Sequence, residues 1–369
     1  MKTLHIVSFE VPYPPNYGGV VDIFYKIKAL HDLGVQIYLH AFESRNIKNQ
    51  DIETYCKKVF YYERQNTALK TLTLTPFIVS SRSNKKLVEN LMTINAPILF
   101  EGLHTTYPLV KNSFKNRIIL IRTHNIEHHY YQGLVKNETN TITRAFFYIE
   151  SLKLQYFERI LKKADYILTI SKADEKYFHQ KYGDTVRFLP PFHPNKGVSH
   201  PSKKGYFALF HGDFRIAENQ RSISYLYEVF SKVDYPLVIA GDLDYSPIDI
   251  KTSTNKKISF IQLENEDQLK ELLKRAHVNV FPAFQKSGIK LKLINALFLS
   301  RFALCHPNIV EGTGLESLCE IAHNKSEFIK QMYRLIDEEY SEEEVQKREE
   351  ILSEYNCLDN AQSIINLIS

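Results

Sequence analysis

Apolar and polar positions along this chain follow two periods in turn. Short apolar runs of strand length are separated by stretches in which apolar residues repeat every three or four positions. Residues 4–9 read as a strand. The loop after it holds Pro12, Pro14, Pro15, Gly18 and Gly19 and so cannot extend that strand. Val20, Ile23, Phe24, Ile27, Leu30 and Leu33 then share one helical face, Gly34 is a helix stop, and residues 35–42 read as the next strand. Strand, loop, helix, stop and strand make a βαβ unit, so the sheet is expected to be parallel. Further strands are expected at 98–100, 118–121, 166–170 and 186–189. A long amphipathic helix is expected over 146–164, and Ser171 is a helix-start signal.

Residues 191–204 are rich in proline and polar side chains and form the best linker candidate. After them the pattern restarts. Strands are expected at 206–210, 237–240, 258–263, 278–281 and 302–305, with helices at 219–230, 266–276 and 291–299. The charged tail, from about residue 327, reads as helical. Two such series imply an α/β protein of two doubly wound, Rossmann-like domains, which suits the 369-residue length.

In open parallel sheets, ligands bind beyond the carboxyl ends of the strands. The residues expected there are Gly18-Gly19, Glu101-Gly102, His124-Asn125, Ser171, His211-Gly212-Asp213, Gly241-Asp242 and 281–288. Gly18-Gly19 opens a helix, where free backbone N–H groups can meet a phosphate or a sugar, although a plain turn has the same sequence. His124 can bond a sugar hydroxyl or pass a proton, and a packed histidine is the competing reading. His128-His129 reads as helix surface. Ser287-Gly288-Ile289-Lys290-Leu291-Lys292 puts two lysines at a helix start. That opposes the helix dipole, as expected at an anion site. The chain has no G-x-G-x-x-G fingerprint, P-loop or nucleophile elbow.

Composition narrows the picture. Hydrophobic residues make up 44% and charged residues 24%, ordinary values for a globular protein. Cys56, Cys305, Cys319 and Cys357 have neither disulfide-framework nor zinc spacing, so no metal site is indicated and a reducing cytoplasm is expected. No signal-peptide core or membrane-spanning run is visible. The first 190 residues carry 26 Lys and Arg against 17 Asp and Glu, while the remainder is mildly acidic. A basic half is either an ordinary solvated surface or one that faces an anionic acceptor or the inner membrane surface. No aromatic-interleaved basic motif points to nucleic acid.

Taken in order, five segments resemble glycosyltransferase family 4, the retaining nucleotide-sugar enzymes of GT-B architecture. They are Ile6-Val7-Ser8 through Gly18-Gly19; Arg122-Thr123-His124-Asn125-Ile126-Glu127-His128; Ala164-Asp165 through Ser171-Lys172-Ala173-Asp174; Ser287 through Leu297; and Glu311-Gly312. The resemblance implies an acceptor domain over 1–195, a sugar-nucleotide domain over 205–350, a cleft between them, and a tail helix, 351–369, that returns to the first domain. It implies catalytic roles for His124, Lys290 and Ser287. It places Gly18, Gly19, Gly212, Asp213, Arg215, Gln262, Gly288, Ile289, Lys292, Asn295 and Glu311 at the donor, and Glu101, Arg122 and Asn125 at the acceptor. No cofactor or metal is implied, the sugar nucleotide being a co-substrate. The expected activity is retaining transfer to a glycan or lipid-linked acceptor in bacterial surface polysaccharide synthesis.

The chain also departs from the family. Ser287 and Asn295 stand where a pair of glutamates is common, and Gly212 is followed by Asp213 where a basic pair is expected, with Glu218 near the place of a lysine. These departures keep a second reading open: a diverged, non-catalytic partner subunit or sugar-binding module. A sugar-nucleotide epimerase or a phosphorylase on the same architecture is a third class, because a fold does not fix a function.

Overall fold

The computed structural model describes residues 2–15, 18–43, 50–201, 204–248, 255–284 and 291–369. The chain forms two compact units, Met1–Pro194 with Tyr355–Ser369, and Asn195–Glu354.

The first unit is built on seven strands: β1 (Thr3–Ser8), β2 (Gln36–Glu43), β3 (Lys58–Glu63), β4 (Ile98–Glu101), β5 (Ile119–Thr123), β6 (Tyr166–Thr169) and β7 (Val186–Phe188). They pair in the order β3-β2-β1-β4-β5-β6-β7, every pair parallel. The central strands are apolar on both faces because helices cover both sides. Successive side chains point to opposite faces of a strand. Leu99, Leu120 and Leu168 accordingly join one core with Leu4 and Ile6, while Ile98, Phe100, Ile119, Ile121 and Ile167 join the other with Val7.

The first helix, Gly18–Asp32, buries Val20, Ile23, Phe24, Ile27 and Leu30, the expected face. Gly34 ends it at φ +78°, a conformation an L side chain rarely adopts. The last helix, Cys357–Leu367, packs on the first and adds Ala361, Ile364 and Ile365 to its core.

The second unit repeats the plan with β8 (Ala208–His211), β9 (Leu237–Gly241), β10 (Ile258–Gln262), β11 (Val278–Phe281), β12 (Phe302–Cys305) and β13 (Glu320–Ile321). The order is β10-β9-β8-β11-β12-β13, again all parallel. Its core joins Ala208 and Phe210 of β8 to Ile223, Leu226 and Phe230 of the helix Ala217–Phe230.

Three local readings change. The helix expected at residue 146 begins at Thr141, because Asn140 accepts hydrogen bonds from the N–H groups of Ile142 and Thr143. Its last turn tightens into a 3₁₀ segment over Glu158–Lys163. β3 and β13 have no counterpart among the expected strands. The first is an edge strand with four half-exposed or exposed side chains in its first four positions, and the second is two residues long. The helix Glu127–Asn137 follows β5 directly, and in it His128 is buried against Glu158 at 3.2 Å; only His129 lies on the surface. No helix among the described residues is long and apolar enough to cross a membrane.

Candidate functional site

The strand order of the first sheet reverses between β1 and β4, and a chain of buried charges lies at that point. Asp22 and Lys26, one turn apart on the first helix, are paired at 2.9 Å. The Lys26 ammonium also donates to Glu101 Oε1, at the end of β4, at 2.7 Å. Arg122, near the end of β5, donates from Nη2 to Asp22 Oδ1 at 3.0 Å and to the Pro190 carbonyl at 3.1 Å, and also bonds the Leu189 carbonyl. The Phe192 N–H donates to the same Asp22 oxygen at 2.8 Å. The chain ends at His124, whose Nε2 is 3.0 Å from Glu101 Oε2.

Burial alone would push the Asp22 and Glu101 carboxyls up. For Asp22, the charges of Arg122 and Lys26 outweigh it and hold the group below the usual carboxylate range. For Glu101, the Lys26 charge and the His124 hydrogen bond do the same. An ionised carboxylate only accepts, so His124 Nε2 donates the proton of this bond. His124 is also the one member with a side chain open to solvent, 11% against 3% or less for the others. The network is therefore a buried scaffold that presents a single imidazole.

Asp22, Glu101 and His124 have metal-ligating atoms within 4.8 Å of one another, the one such group among the described residues. The Lys26 ammonium bonds both carboxylates of this group, so each already has a protein cation beside it.

Phe9, just past β1, seats the imidazole edge-on, with ring centroids 5.5 Å apart, and its other neighbour is His104 at 5.4 Å. A Cβ on Gly19 would stand 2.8 Å from Phe9 Cζ, so a larger residue there would displace that ring. Behind His104, its Nδ1 and Glu127 Oε1 are 3.9 Å apart, and both are buried without a hydrogen-bond partner among the described residues. Burial, helped by the charge of Asp174, pushes the Glu127 carboxyl up to about 8, and burial pushes Asp174 up to about 6.

In the second unit the order reverses between β8 and β11. Lys292, in the first turn of the helix Leu291–Leu299, sends its ammonium over the rings of Phe210 (5.1 Å) and Phe281 (5.9 Å), and it donates to Asn219 Oδ1 at 3.2 Å. His211, at the end of β8, is buried; burial and then the Lys292 charge lower its imidazole to about 3, so it is neutral. Its Nε2 has no hydrogen-bond partner among the described residues. Gly212 follows it and lies against the Asn219 amide. Asp213 is held by Arg215 at 2.7 and 2.9 Å, which lowers its carboxyl.

The remaining expected residues scatter. Asn125 is half-buried in the turn after β5. Asn295 accepts from Asn195 Nδ2 at 2.8 Å, Gln262 Oε1 accepts from the Leu243 N–H at 2.8 Å, and Glu311 is exposed. Ser287, Gly288, Ile289 and Lys290 lie outside the described residues. Arg122 and Glu101, which the resemblance places at the acceptor, are both held inside the protein. Both are fully buried with their polar atoms engaged by the protein, so Arg122 is a strut and Glu101 acts through His124. Asp22, Lys26, Phe9 and His104 were not singled out from the sequence. The available signal was an Asp–Lys pair at i, i+4 beside the apolar face of the first helix.

No protein-family profile matches the chain. A curated relative from Klebsiella pneumoniae, described as an uncharacterized 44.6 kDa protein in the cps region, is 28% identical over 345 residues, 85% of each chain. Solved structures align over nearly the full length. TarM has a TM-score of 0.68 at 11% identity, over 100% of this chain and 99% of its own. HepE of Anabaena, solved with UDP, gives 0.64 at 12%, over 99% of each chain. The lipopolysaccharide outer core galactosyltransferase WaaB gives 0.61 at 13%, over 100% and 99%.

The fold is GT-B. Within it, His124 and its scaffold mark the switch point of the amino-terminal Rossmann-like unit. Lys292, His211 and Gly212 mark that of the carboxyl-terminal one, so each half of this GT-B chain carries its polar groups at the same topological position.

Proposed function

We propose that the protein is a glycosyltransferase that moves a sugar from a nucleoside-diphosphate donor to a glycan or lipid-linked acceptor of bacterial surface polysaccharide. The observation that carries this reading is the polar equipment at both switch points, on a fold shared along its whole length with sugar-transferring enzymes. HepE, solved with UDP, and WaaB, named as a galactosyltransferase, support a nucleotide-sugar donor.

The second unit takes the donor. Lys292 and the opening of its helix meet the diphosphate, with Ser287, Gly288 and Lys290 just before them in sequence. The anomeric carbon–oxygen bond to the diphosphate breaks as the acceptor oxygen bonds to that carbon from the same face. The acceptor proton passes to the departing phosphate oxygen. His124, held by Glu101, bonds a hydroxyl of the transferred sugar, and retention follows from same-face attack.

The test is calorimetric titration with uridine, guanosine, cytidine and thymidine diphosphates and their sugars, followed by turnover with the one that binds. Proton NMR of the product reads the anomeric configuration, and an inverted product would rule out the same-face path. The Asp213–Arg215 pair and the Asn295–Asn195 bond favour a second reading, a GT-B module that holds sugars or a partner subunit without turnover. Folded protein that binds none of these nucleotides would select it.

A further inference from the structure

The first unit carries large apolar side chains where water has full access to them. In the 3₁₀ segment Ala68–Leu72 and just beyond it, Leu72 is 82% and Leu74 87% exposed, and Leu69 is exposed beside them. The helix Thr141–Phe157 continues the patch. Its exposed Ile142, Ala145, Ile149, Leu152 and Tyr156 are spaced three and four apart, one seam along the solvent side, and Ile142 is 81% exposed. Segment and helix are fastened together. Lys153 Nζ donates to the Thr71 carbonyl at 2.6 Å, and the Phe77 N–H donates to Glu150 at 2.6 Å. A contiguous apolar surface of this kind marks an interaction site.

Charge decides what covers it. From Thr141 through Lys163 the acids are Glu150 and Glu158. Both are buried, the first paired with Lys153 at 2.8 Å and the second with Lys181 at 2.7 Å. The exposed charges, Arg144, Arg159, Lys162 and Lys163, are all cationic. Lys70 sits among the leucines and also lines a groove of about 1070 Å³. There Lys70, Lys85, Lys86 and Lys111 face three glutamates. A second copy laid on the helix seam would set arginine against arginine in either direction. Exposed leucines beside a helix whose exposed charges are all cationic match an anionic lipid surface, in which the leucines enter the acyl boundary and the cations meet headgroup phosphates.

We propose that the leucine segment 69–74 and the helix seam of the first unit form a docking surface for an anionic lipid bilayer. It is a peripheral contact, independent of which nucleotide the second unit takes.

The test is flotation of the full chain with vesicles of phosphatidylglycerol and phosphatidylcholine in equal parts, against vesicles of phosphatidylcholine alone. The expected result is binding about tenfold or more stronger to the anionic vesicles, falling when salt is raised to about 0.5 M. The paired substitutions Leu72→Glu and Leu74→Glu lower it about tenfold or more, and Ile149→Glu lowers it too, with unchanged melting temperature. Equal binding to both vesicles, no binding to anionic vesicles at low salt, or insensitivity to these substitutions overturns the proposal. So does a concentration-dependent dimer in sedimentation equilibrium that Ile149→Glu abolishes, since the surface is then a self-association face.

Discussion

The two Rossmann-like units wind their strands in the same order, yet they treat charge at the switch point in opposite ways. In the first, Asp22, Lys26, Glu101 and Arg122 balance one another in the interior, and only His124 reaches solvent. In the second, the Lys292 ammonium lies over two phenylalanine rings and bonds the neutral amide of Asn219, next to a neutral His211. A balanced buried network sets geometry in advance and asks nothing of a ligand. In the second, the cation lies at a helix start against aromatic rings and an amide, the kind of position that the proposed function assigns to the diphosphate. The same topology thus sets an imidazole on a buried charge network in one unit and a lysine ammonium over aromatic rings in the other.

The sharpest way to break this contrast is to remove the central cation of each unit. Lys26→Met leaves Asp22 and Glu101 facing each other in the interior, and such a change costs about 3–5 kcal/mol of stability. Lys292→Met removes contacts to two rings and an amide and is expected to cost less than Lys26→Met. Urea unfolding of both variants measures the difference. Equal losses would mean that the second ammonium is structural too.

The next effect concerns chemistry rather than folding. If, as proposed, the imidazole acts on the sugar and not on the diphosphate, His124→Ala lowers turnover about 10²–10³-fold and changes nucleotide affinity less than about twofold. Glu101→Gln keeps the shape but frees the imidazole to change tautomer, so turnover falls about tenfold and its pH profile moves. A drop in nucleotide affinity that matches the drop in turnover would place His124 at the nucleotide instead.

Much of this was legible in the chain. The alternation of short apolar runs with helical periodicity gave both parallel sheets, and the strand-end rule pointed to His124, His211-Gly212 and the helix that carries Lys292. What stayed hidden depends on neighbours distant in sequence. Lys26 looks like a solvated lysine at the flank of an amphipathic helix until Glu101, 75 positions later, is brought against it. Arg122 was placed at the acceptor by the family resemblance, and nothing near it in sequence shows its partners. Only the fold shows Asp22 and the 189–190 carbonyls consuming its donors. His128 failed as a surface residue for a similar reason, since its partner Glu158 lies on another helix. β3 was missed because edge strands need not be apolar on both faces.

A smaller effect sharpens the second half of the comparison. Lys292→Ala is expected to weaken binding of the nucleoside diphosphate by about 1.5–3 kcal/mol, the range for a hydrogen bond to a charged group, while Arg215→Ala, whose guanidinium is tied to Asp213, changes it little. Isothermal titration of the two variants decides between them. A larger loss from Arg215 would mean that the Asp213 pair opens to the ligand and that the proposed diphosphate site lies nearer β8 than β11.

The smallest effect is a slope of stability with pH, and it comes from two buried carboxyls outside the balanced network, Glu127 and Asp174. Buried Glu127, pushed up to about 8, keeps its proton in the folded protein, whereas the unfolded chain releases it near 4.5. The stabilisation is complete below 4.5 and is lost as pH rises through about 8, since the unfolded state then binds fewer protons. Asp174, pushed up to about 6, acts in the same sense over a lower range. His5 and His193, lowered by burial to about 4, act oppositely: their unfolded forms take up protons below about 6.5, so stability falls as pH drops from there toward 4. The opposing contributions leave Glu127 to govern the interval from about 6.5 to 8. Glu127→Gln, which cannot ionise, is expected to flatten the melting temperature across that interval and to exceed the parent protein above pH 8. Parallel decline of the two proteins from pH 6.5 to 8.5 would show that Glu127 does not titrate there. The 3.9 Å gap to His104 would then close with a shared charge, and the first unit would be balanced throughout.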